Sequence, residues 1–389
     1  TVVGDFSQSI YSWRGADYRN LEHLNRDFSN LKTIELKQNY RSTQNILDAA
    51  YGVIENNNTH PILQLEATKS EGKKIKLYKG KDEKSEARFI LDQIREGDSY
   101  KDFAILYRTN AQSRALEESF IKSGTPYVLV GGTKFYERRE IKDILAYLKV
   151  IANPKDEVSW ERLDKVGKRR RQAFEEWLDQ LKNKKELSKV SSEEFMAGVL
   201  SSTDYLSLYD EEDENDLMRL ENIKELASVA REFSNLRAFL ENVALVQSEA
   251  QSDLEDSDKV TLMTMHAAKG LEFKNVFVVG MEEGLFPHSR SLGEKQELEE
   301  ERRLCYVAFT RAEQNLFLTY TRSRLYFGRR TSNSPSRFLA ETPQHLIESV
   351  NRKGGRKIVG ADYSEEAPKV DEDKLQRAVA EDFEEIDNW

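Results

Sequence analysis

Apolar residues recur along this chain in two rhythms. Short runs rich in β-branched and aromatic residues read as buried strands: Ile75–Tyr78, Phe103–Tyr107, Tyr127–Val130, Val260–Met265, Val276–Val279 and Leu316–Tyr320. Stretches with helical spacing read as helices over 43–56, 83–96, 111–122 and 295–310, the first with Ser42 or Thr43 as its N-cap. Val2-Val3 reads as the end of another strand. Thr33–Leu36 is a short apolar run leading into Asn39-Tyr40-Arg41-Ser42. Strands alternating with helices of this size predict a parallel sheet covered on both faces.

Residues 137–257 break that alternation. They are rich in Glu, Lys, Arg and Leu and read as a set of helices, with an acidic loop over Asp210–Asp216. The predicted fold class is therefore α/β, a parallel-sheet domain interrupted by an all-helical insertion. From about Gly354 the chain turns polar and acidic, a composition that predicts disorder. No internal repeat is visible.

Composition removes several function classes. No run of eighteen apolar residues occurs, so no membrane-crossing helix is expected, and the start at Thr1 has no signal-peptide pattern. A single cysteine, Cys305, rules out an internal disulfide framework and fits a reducing cytoplasm. Five scattered histidines predict no metal site. The formal net charge of -10 argues against nucleic acid at first sight. Residues 361–389, however, carry a net of -8, so local basic clusters decide for the rest of the chain.

Four segments carry candidate chemistry. Gly4–Asp17 reads GDFSQSIYSWRGAD: Gln8 can orient a water or touch a phosphate, and Tyr11 and Trp13 offer flat surfaces on which bases stack. Asn39–Thr43 puts an arginine and a tyrosine between a strand and a helix start, where Arg41 can reach an anion and Tyr40 can cover a purine. Val260–Phe273 reads VTLMTMHAAKGLEF and delivers Thr264, His266 and Lys269 to a turn at Gly270, with Glu272 beyond it. The hydroxyl, imidazole and ammonium suit a phosphate backbone, and the carboxylate suits a ribose hydroxyl. Glu299–Ala312 reads EEERRLCYVAFTRA. Leu304, Val307 and Ala308 share one helix face, and Arg311 continues that line at the helix end. An arginine held so can neutralise a transferring phosphoryl group. Each segment alone also reads as ordinary structure: core-filling aromatics, a surface ion pair, a structural histidine, a solvated basic edge.

In this order and spacing the four segments resemble the UvrD/PcrA/Rep helicases of superfamily 1, as motifs III, IV, V and VI of that family. LYRTNAQSRALEE at 106–118, GGTKFYERREIKDILAYLKVIANP at 131–154 and GLFPHSRS at 284–291 are similar to the family as well. The resemblance runs from Thr1 to about Ala340, with a gap in the helical insertion. It implies a RecA-like sheet of the P-loop NTPase type and ATP-driven 3′ to 5′ movement on single-stranded DNA, with duplex unwinding in repair or replication. It implies that Gln8, Arg41 and Arg311 meet the γ-phosphate, and that Tyr40, Gly270 and Glu272 hold the nucleotide. It implies that Tyr11, Trp13 and Phe327 stack on bases with Arg14 beside them. Arg108, Asn110, Thr264, His266, Lys269 and His288 would touch the strand.

The implied organisation is the end of a first motor domain over 1–40 and a second motor domain over 41–140 and 258–340. An inserted helical domain spans 141–257, and an acidic, largely disordered tail spans 341–389, a candidate peptide for a protein partner. ATP and Mg²⁺ are the implied cofactors, and the junction of single- and double-stranded DNA the implied partner. Two departures from the family stand out. The phosphate loop G-x-x-x-x-G-K-[ST] and the Asp-Glu magnesium site are absent from the 389 residues, so the magnesium ligands are expected outside them and the chain alone is expected not to hydrolyse ATP. Thr1 in place of methionine favours a truncated chain. Where relatives carry an Arg-Gly-Ile-Gly turn, this chain reads Leu163–Arg171. That is half of a helix-hairpin-helix with one glycine, which puts Lys168 and Arg169 at duplex phosphates or, equally, on a solvated helix start. Two other functions fit the residues: the motor part of a helicase–nuclease, and a non-catalytic DNA-binding half-motor.

Overall fold

The computed structural model describes residues 1–353 and 356–358, apart from 13, 14, 16, 18, 29, 98, 184–189, 250–257, 327 and 328. Seven strands form its main sheet: β1 (Ile75–Gly80), β2 (Phe103–Tyr107), β3 (Tyr127–Val130), β4 (Val260–Thr264), β5 (Phe273–Val278), β6 (Ala312–Thr321) and β7 (Ile347–Ser349). Their order is β7-β1-β6-β5-β2-β4-β3, and every pairing is parallel. Parallel strands need crossovers, and the crossovers cover the sheet.

Twelve α-helices are described: α1 (Arg19–Asp27), α2 (Gln44–Ile54), α3 (Glu83–Arg95), α4 (Ser113–Ser123), α5 (Arg139–Ala152), α6 (Glu157–Val166), α7 (Lys168–Asn183), α8 (Ser192–Thr203), α9 (Glu214–Arg231), α10 (Leu236–Glu249), α11 (Lys295–Phe309) and α12 (Arg337–Glu341).

The two-residue period of the strands sorts their side chains into two cores. Ala104, Leu106, Met263, Val276, Val278 and Leu318 face α2, α11 and α12. Phe103, Ile105, Leu262, Phe277 and Phe317 face α3 and α4. Because both of its faces are buried, β2 reads as a continuous apolar run and has the bounds that the sequence predicts; the edge strand β3 also has its predicted bounds, with Val128 and Val130 exposed. The helices α5 to α10, between β3 and β4, enclose a third core around Tyr147, Phe174, Met196, Tyr205, Leu226 and Phe239. The helical insertion is joined to the sheet by charge. Arg114 of α4 donates from Nε to Glu225 of α9 at 2.6 Å, and Arg138 donates from Nη1 to Asn222 of α9 at 2.7 Å.

Three expectations are corrected. Val2 and Val3 are 65% and 81% exposed and lie in no strand, because a strand needs a ladder neighbour and none stands beside them among the described residues. Ile34 and Leu36 are likewise exposed, and the nearby pairing is a two-residue parallel bridge of Gln38–Asn39 with Glu66–Ala67. The tail does not begin at 341: Leu346 enters the core and β7 pairs with β1, Ile347 opposite Ile75. Three residues at a sheet edge carry too little pattern to stand out in a polar sequence. The acidic stretch 359–389 lies outside the described residues.

Phe277 anchors the α3–α4 face, with its ring 4.3 Å from Phe317 and 6.4 Å from Phe103. Phe277→Ala is expected to cost about 3–5 kcal/mol, read as a fall in the urea unfolding midpoint. An unchanged midpoint would show that this ring stack does not carry the sheet.

Candidate functional site

Two groups of predicted residues lie at opposite edges of the sheet. The first stands where β5 and β6 begin. Arg41 Nε donates to Glu272 Oε2 at 2.6 Å, and its Nη1 reaches the carbonyl of Thr310 at 3.4 Å. Arg311 lies just past the end of α11 and is 2% exposed. Its Nε donates to the Val307 carbonyl at 3.0 Å, Nη1 to the Leu271 carbonyl at 3.1 Å and Nη2 to Thr310 Oγ1 at 3.1 Å. Leu304, Val307 and Ala308 are fully buried beneath it, as the helix pattern predicts.

The guanidiniums of Arg41 and Arg311 both act on Glu272, and the Asp5 carboxylate acts on Arg311 as well. Burial, and then the neighbouring Arg41, pushes Arg311 down to about 10, so it stays charged at neutral pH. Hydrogen bonding and attraction from Arg41 hold Glu272 below its ordinary 4.5. Tyr40 is 71% exposed and donates from its hydroxyl to Gln38 at 2.9 Å, which leaves its ring as open surface. Gly270 has φ +89°, a left-handed conformation that lets the chain turn just before Glu272. Gln8 is not drawn into the arginine pair. Its side-chain amide donates to Asp5 Oδ2 at 2.7 Å.

The second group stands where β2 and β4 end. Thr264 closes β4, and its hydroxyl accepts the Ala267 amide at 3.2 Å. Tyr11 donates from its hydroxyl to the carbonyl of His266 at 2.8 Å, with the two rings 6.2 Å apart. Lys269 Nζ donates to the Gln8 carbonyl at 2.8 Å and lies 5.5 Å from the Tyr11 ring. The residues Met265–Glu272 run from this edge back to the first, so one short segment serves both groups.

Other predicted contacts are already occupied. Arg108 pairs with Glu301 at 2.8 Å. His288 is buried, with Nε2 3.0 Å from Glu221 Oε1, and Asn110 donates to the Met218 sulfur at 3.3 Å. Met218 and Glu221 belong to α9, so the helical insertion covers this part of the edge. Trp13, Arg14 and Phe327 lie outside the described residues. Lys168 and Arg169 are exposed at the start of α7, after Gly167 with φ +142°, and neither forms a side-chain hydrogen bond or ion pair among the described residues. The neighbouring Arg171 is taken up by Glu175 at 2.9 Å and by Trp160, over whose ring it lies at 4.9 Å.

Sequence reading passed over Glu300, Glu301 and Arg303. All three tie α11 to other segments, and the charged run Glu299–Arg303 on a helix with an otherwise buried face was the available signal.

Burial alone would raise the Glu301 carboxyl, but Arg108 and the His288 amide outweigh it and hold it below 4.5. A carboxyl with a depressed folded pKa contributes stability above its unfolded value and loses it as pH falls through the folded one. Glu301→Gln is therefore expected to cost about 1–3 kcal/mol at pH 7, where the half-buried Arg108 loses its charged partner. The gap between variant and parent should close below pH 4.5. Denaturation curves across pH 3 to 7 check this, and a gap that stays constant would refute it.

Comparison with known proteins finds matches along most of the chain. Residues 34–185 and 165–323 match the UvrD-like helicase C-terminal domain, and residues 1–29 match the UvrD/REP helicase N-terminal domain. The ATP-dependent DNA helicase PcrA of Bacillus subtilis is 42% identical over 408 residues, covering 90% of this chain and 55% of that protein. The same-named protein of Staphylococcus aureus is 42% identical, covering 92% of this chain and 55% of its own length. The chain thus spans about half the length of the curated relatives it matches. A solved C-terminal domain of a possible DNA helicase from Lactobacillus plantarum covers 80% of this chain at 14% identity, with a TM-score of 0.35, too low to bear on the fold. The match of the family domain over most of its length shows that this chain belongs to the UvrD-like helicases.

Proposed function

We propose that this chain is the second-motor part of an ATP-dependent 3′ to 5′ DNA translocase that unwinds duplex at a junction of single and double strands. The observation that carries the reading is the segment Met265–Glu272. One end of it bears His266 and Lys269 beside Tyr11, and the other bears Glu272 beside Arg41 and Arg311. A nucleotide phosphate at the arginine edge and a nucleic-acid strand at the other are then joined by eight residues.

In this reading ATP with Mg²⁺ supplies the transferable γ-phosphoryl group. Arg311 and Arg41 bring two positive charges to it, and a fixed arginine of this kind is worth about 10³–10⁵ in rate. Arg311 is already desolvated and oriented, so little reorganisation is needed when negative charge develops. Tyr40 offers the adenine a face. Glu272 turns from Arg41 to the ribose. Gln8 lies on the loop that Lys269 holds and is the candidate sensor of the phosphate. Lys269 and His266 meet the DNA backbone, and Tyr11, with Trp13 and Phe327, stacks on bases. Arg108, Asn110, Thr264 and His288 border that track; Arg108 and His288 reach the strand when α9 and Glu301 release them. Lys168 and Arg169 carry two uncompensated charges suited to duplex phosphates. The phosphate loop and the magnesium carboxylates come from outside these 389 residues, in keeping with a chain that spans 55% of its relatives. A cytoplasmic setting and a protein partner for the acidic stretch 359–389 complete the proposal.

Two outcomes test it. The 389-residue chain is expected to bind oligo(dT), and Lys269→Ala should weaken binding evenly across sequences. It should also lessen the slope of log affinity against log salt by about 0.7, the share of one phosphate contact on a single strand. An unchanged slope would remove Lys269 from the track. The pure chain is expected to hydrolyse no ATP above background, with or without DNA, in a phosphate-release assay. A clear DNA-stimulated ATPase would overturn the division of labour proposed here.

A further inference from the structure

Residues 5–12 lie along α11 as a strap. Asp5 is close enough to Tyr306 and Arg311 for its charge to act on both. Four residues on, the Ser9 carbonyl accepts Arg303 Nε at 2.7 Å. Three residues further, the Ser12 amide donates to Glu300 Oε1 at 3.1 Å, and its hydroxyl donates to Glu300 Oε2. The strap and the helix run antiparallel, in register from one edge of the sheet to the other. Glu300, Arg303, Val307 and Thr310 recur at helical spacing, so the fastening points share a face with the carbonyl that aims Arg311. Ile10 is fully buried between these points, and Arg303 is 3% exposed. The other side of the strap is fixed to the crossover segment, by Tyr11 to the His266 carbonyl and by Lys269 to the Gln8 carbonyl.

We propose that Glu300 and Arg303 are positioning residues that fasten the strap Asp5–Ser12 to α11. Through them Gln8 and Tyr11 keep one register with Arg311 at one edge and His266 at the other. Neither residue touches nucleotide or DNA. They act by making the base-facing loop and the phosphate-facing arginine parts of one body. The inference rests on the DNA-translocation reading above and deepens it, because it names how strand occupancy reaches the arginine.

The test is amide hydrogen exchange of the 389-residue chain, read in peptides covering 5–12 and 304–312, alone and with oligo(dT). Glu300→Ala and the exposed Ser12→Ala are expected to speed exchange over 9–12 by about tenfold, the worth of a hydrogen bond to a charged group. Glu300→Gln keeps an acceptor and should stay near the parent. Oligo(dT) is expected to slow exchange over 304–312 in the parent, and by at most half as much in Glu300→Ala or Arg303→Ala carrying the same bound DNA. Strap exchange unchanged in Ser12→Ala and Glu300→Ala would overturn the fastening, and Ser12→Ala keeps that arm valid should Arg303→Ala fail to fold. Equal protection of 304–312 in parent and variants would overturn the coupling. A parent chain that binds no oligo(dT) would overturn the DNA reading itself, and the coupling with it, while the exchange of the free chain still judges the strap.

Discussion

The connection from β4 to β5 is shorter than a parallel crossover usually allows, and much else follows from that. It skips over β2, so it must travel two strand spacings sideways, about 10 Å, and return a strand length of about 16 Å. Eight residues do this where a dozen or more are usual. Fully drawn out, the nine Cα steps reach about 30 Å. Part of that reach is spent on a turn in which the Ala268 amide bonds to the carbonyls of Thr264 and Met265. Little slack remains. His266 and Lys269 at one edge cannot shift far without pulling on Glu272 at the other. Met265 and Ala268, both fully buried against α11, keep the segment pressed to the sheet.

The helix α11 is the second rigid link between the same two edges. Its apolar side is sealed in the core, and its charged side is spent on neighbours: Glu301 on Arg108, Arg303 on Ser9 and Arg302 on Glu341 at 2.8 Å. Charges buried in this way contribute little net stability, because desolvation offsets most of the attraction. What they supply is a fixed position. Arg324 gives the same result elsewhere: it meets Glu86 at 2.7 Å and Glu282 at 2.8 Å and pins the base of the short hairpin that Arg324–Tyr326 and Arg329–Thr331 form.

Much of this fold is written in local pattern. The strands buried on both faces announce themselves as apolar runs, and α3, α4 and α11 lie within a residue or two of where periodicity puts them. The direction of the sheet site was less legible. Ligands of parallel sheets are expected where strands end, yet Glu272 and Arg311 precede β5 and β6, and only the path of the crossover and of α11 brings them there. Val2-Val3 had the composition of a strand without a neighbour to pair with. β7 had a neighbour without the composition. The family resemblance implied Arg108 and His288 as strand contacts, but their occupation depends on partners 193 and 67 residues away, Glu301 of α11 and Glu221 of α9, which no short window of a sequence contains.

Arg311 is aimed chiefly by main-chain oxygens, those of Val307 and Leu271, with Thr310 alone among the described residues lending a side-chain hydrogen bond. Carbonyls are common to every residue type. The orientation of this guanidinium is therefore written in the route of the backbone rather than in the identity of its neighbours. Positions 271 and 307 can drift among apolar residues of similar size while the arginine keeps its aim. Evolutionary change in that aim has to come instead through the turn at Gly270 or the end of α11. Sequence divergence around this arginine can thus be wide while its geometry stays narrow.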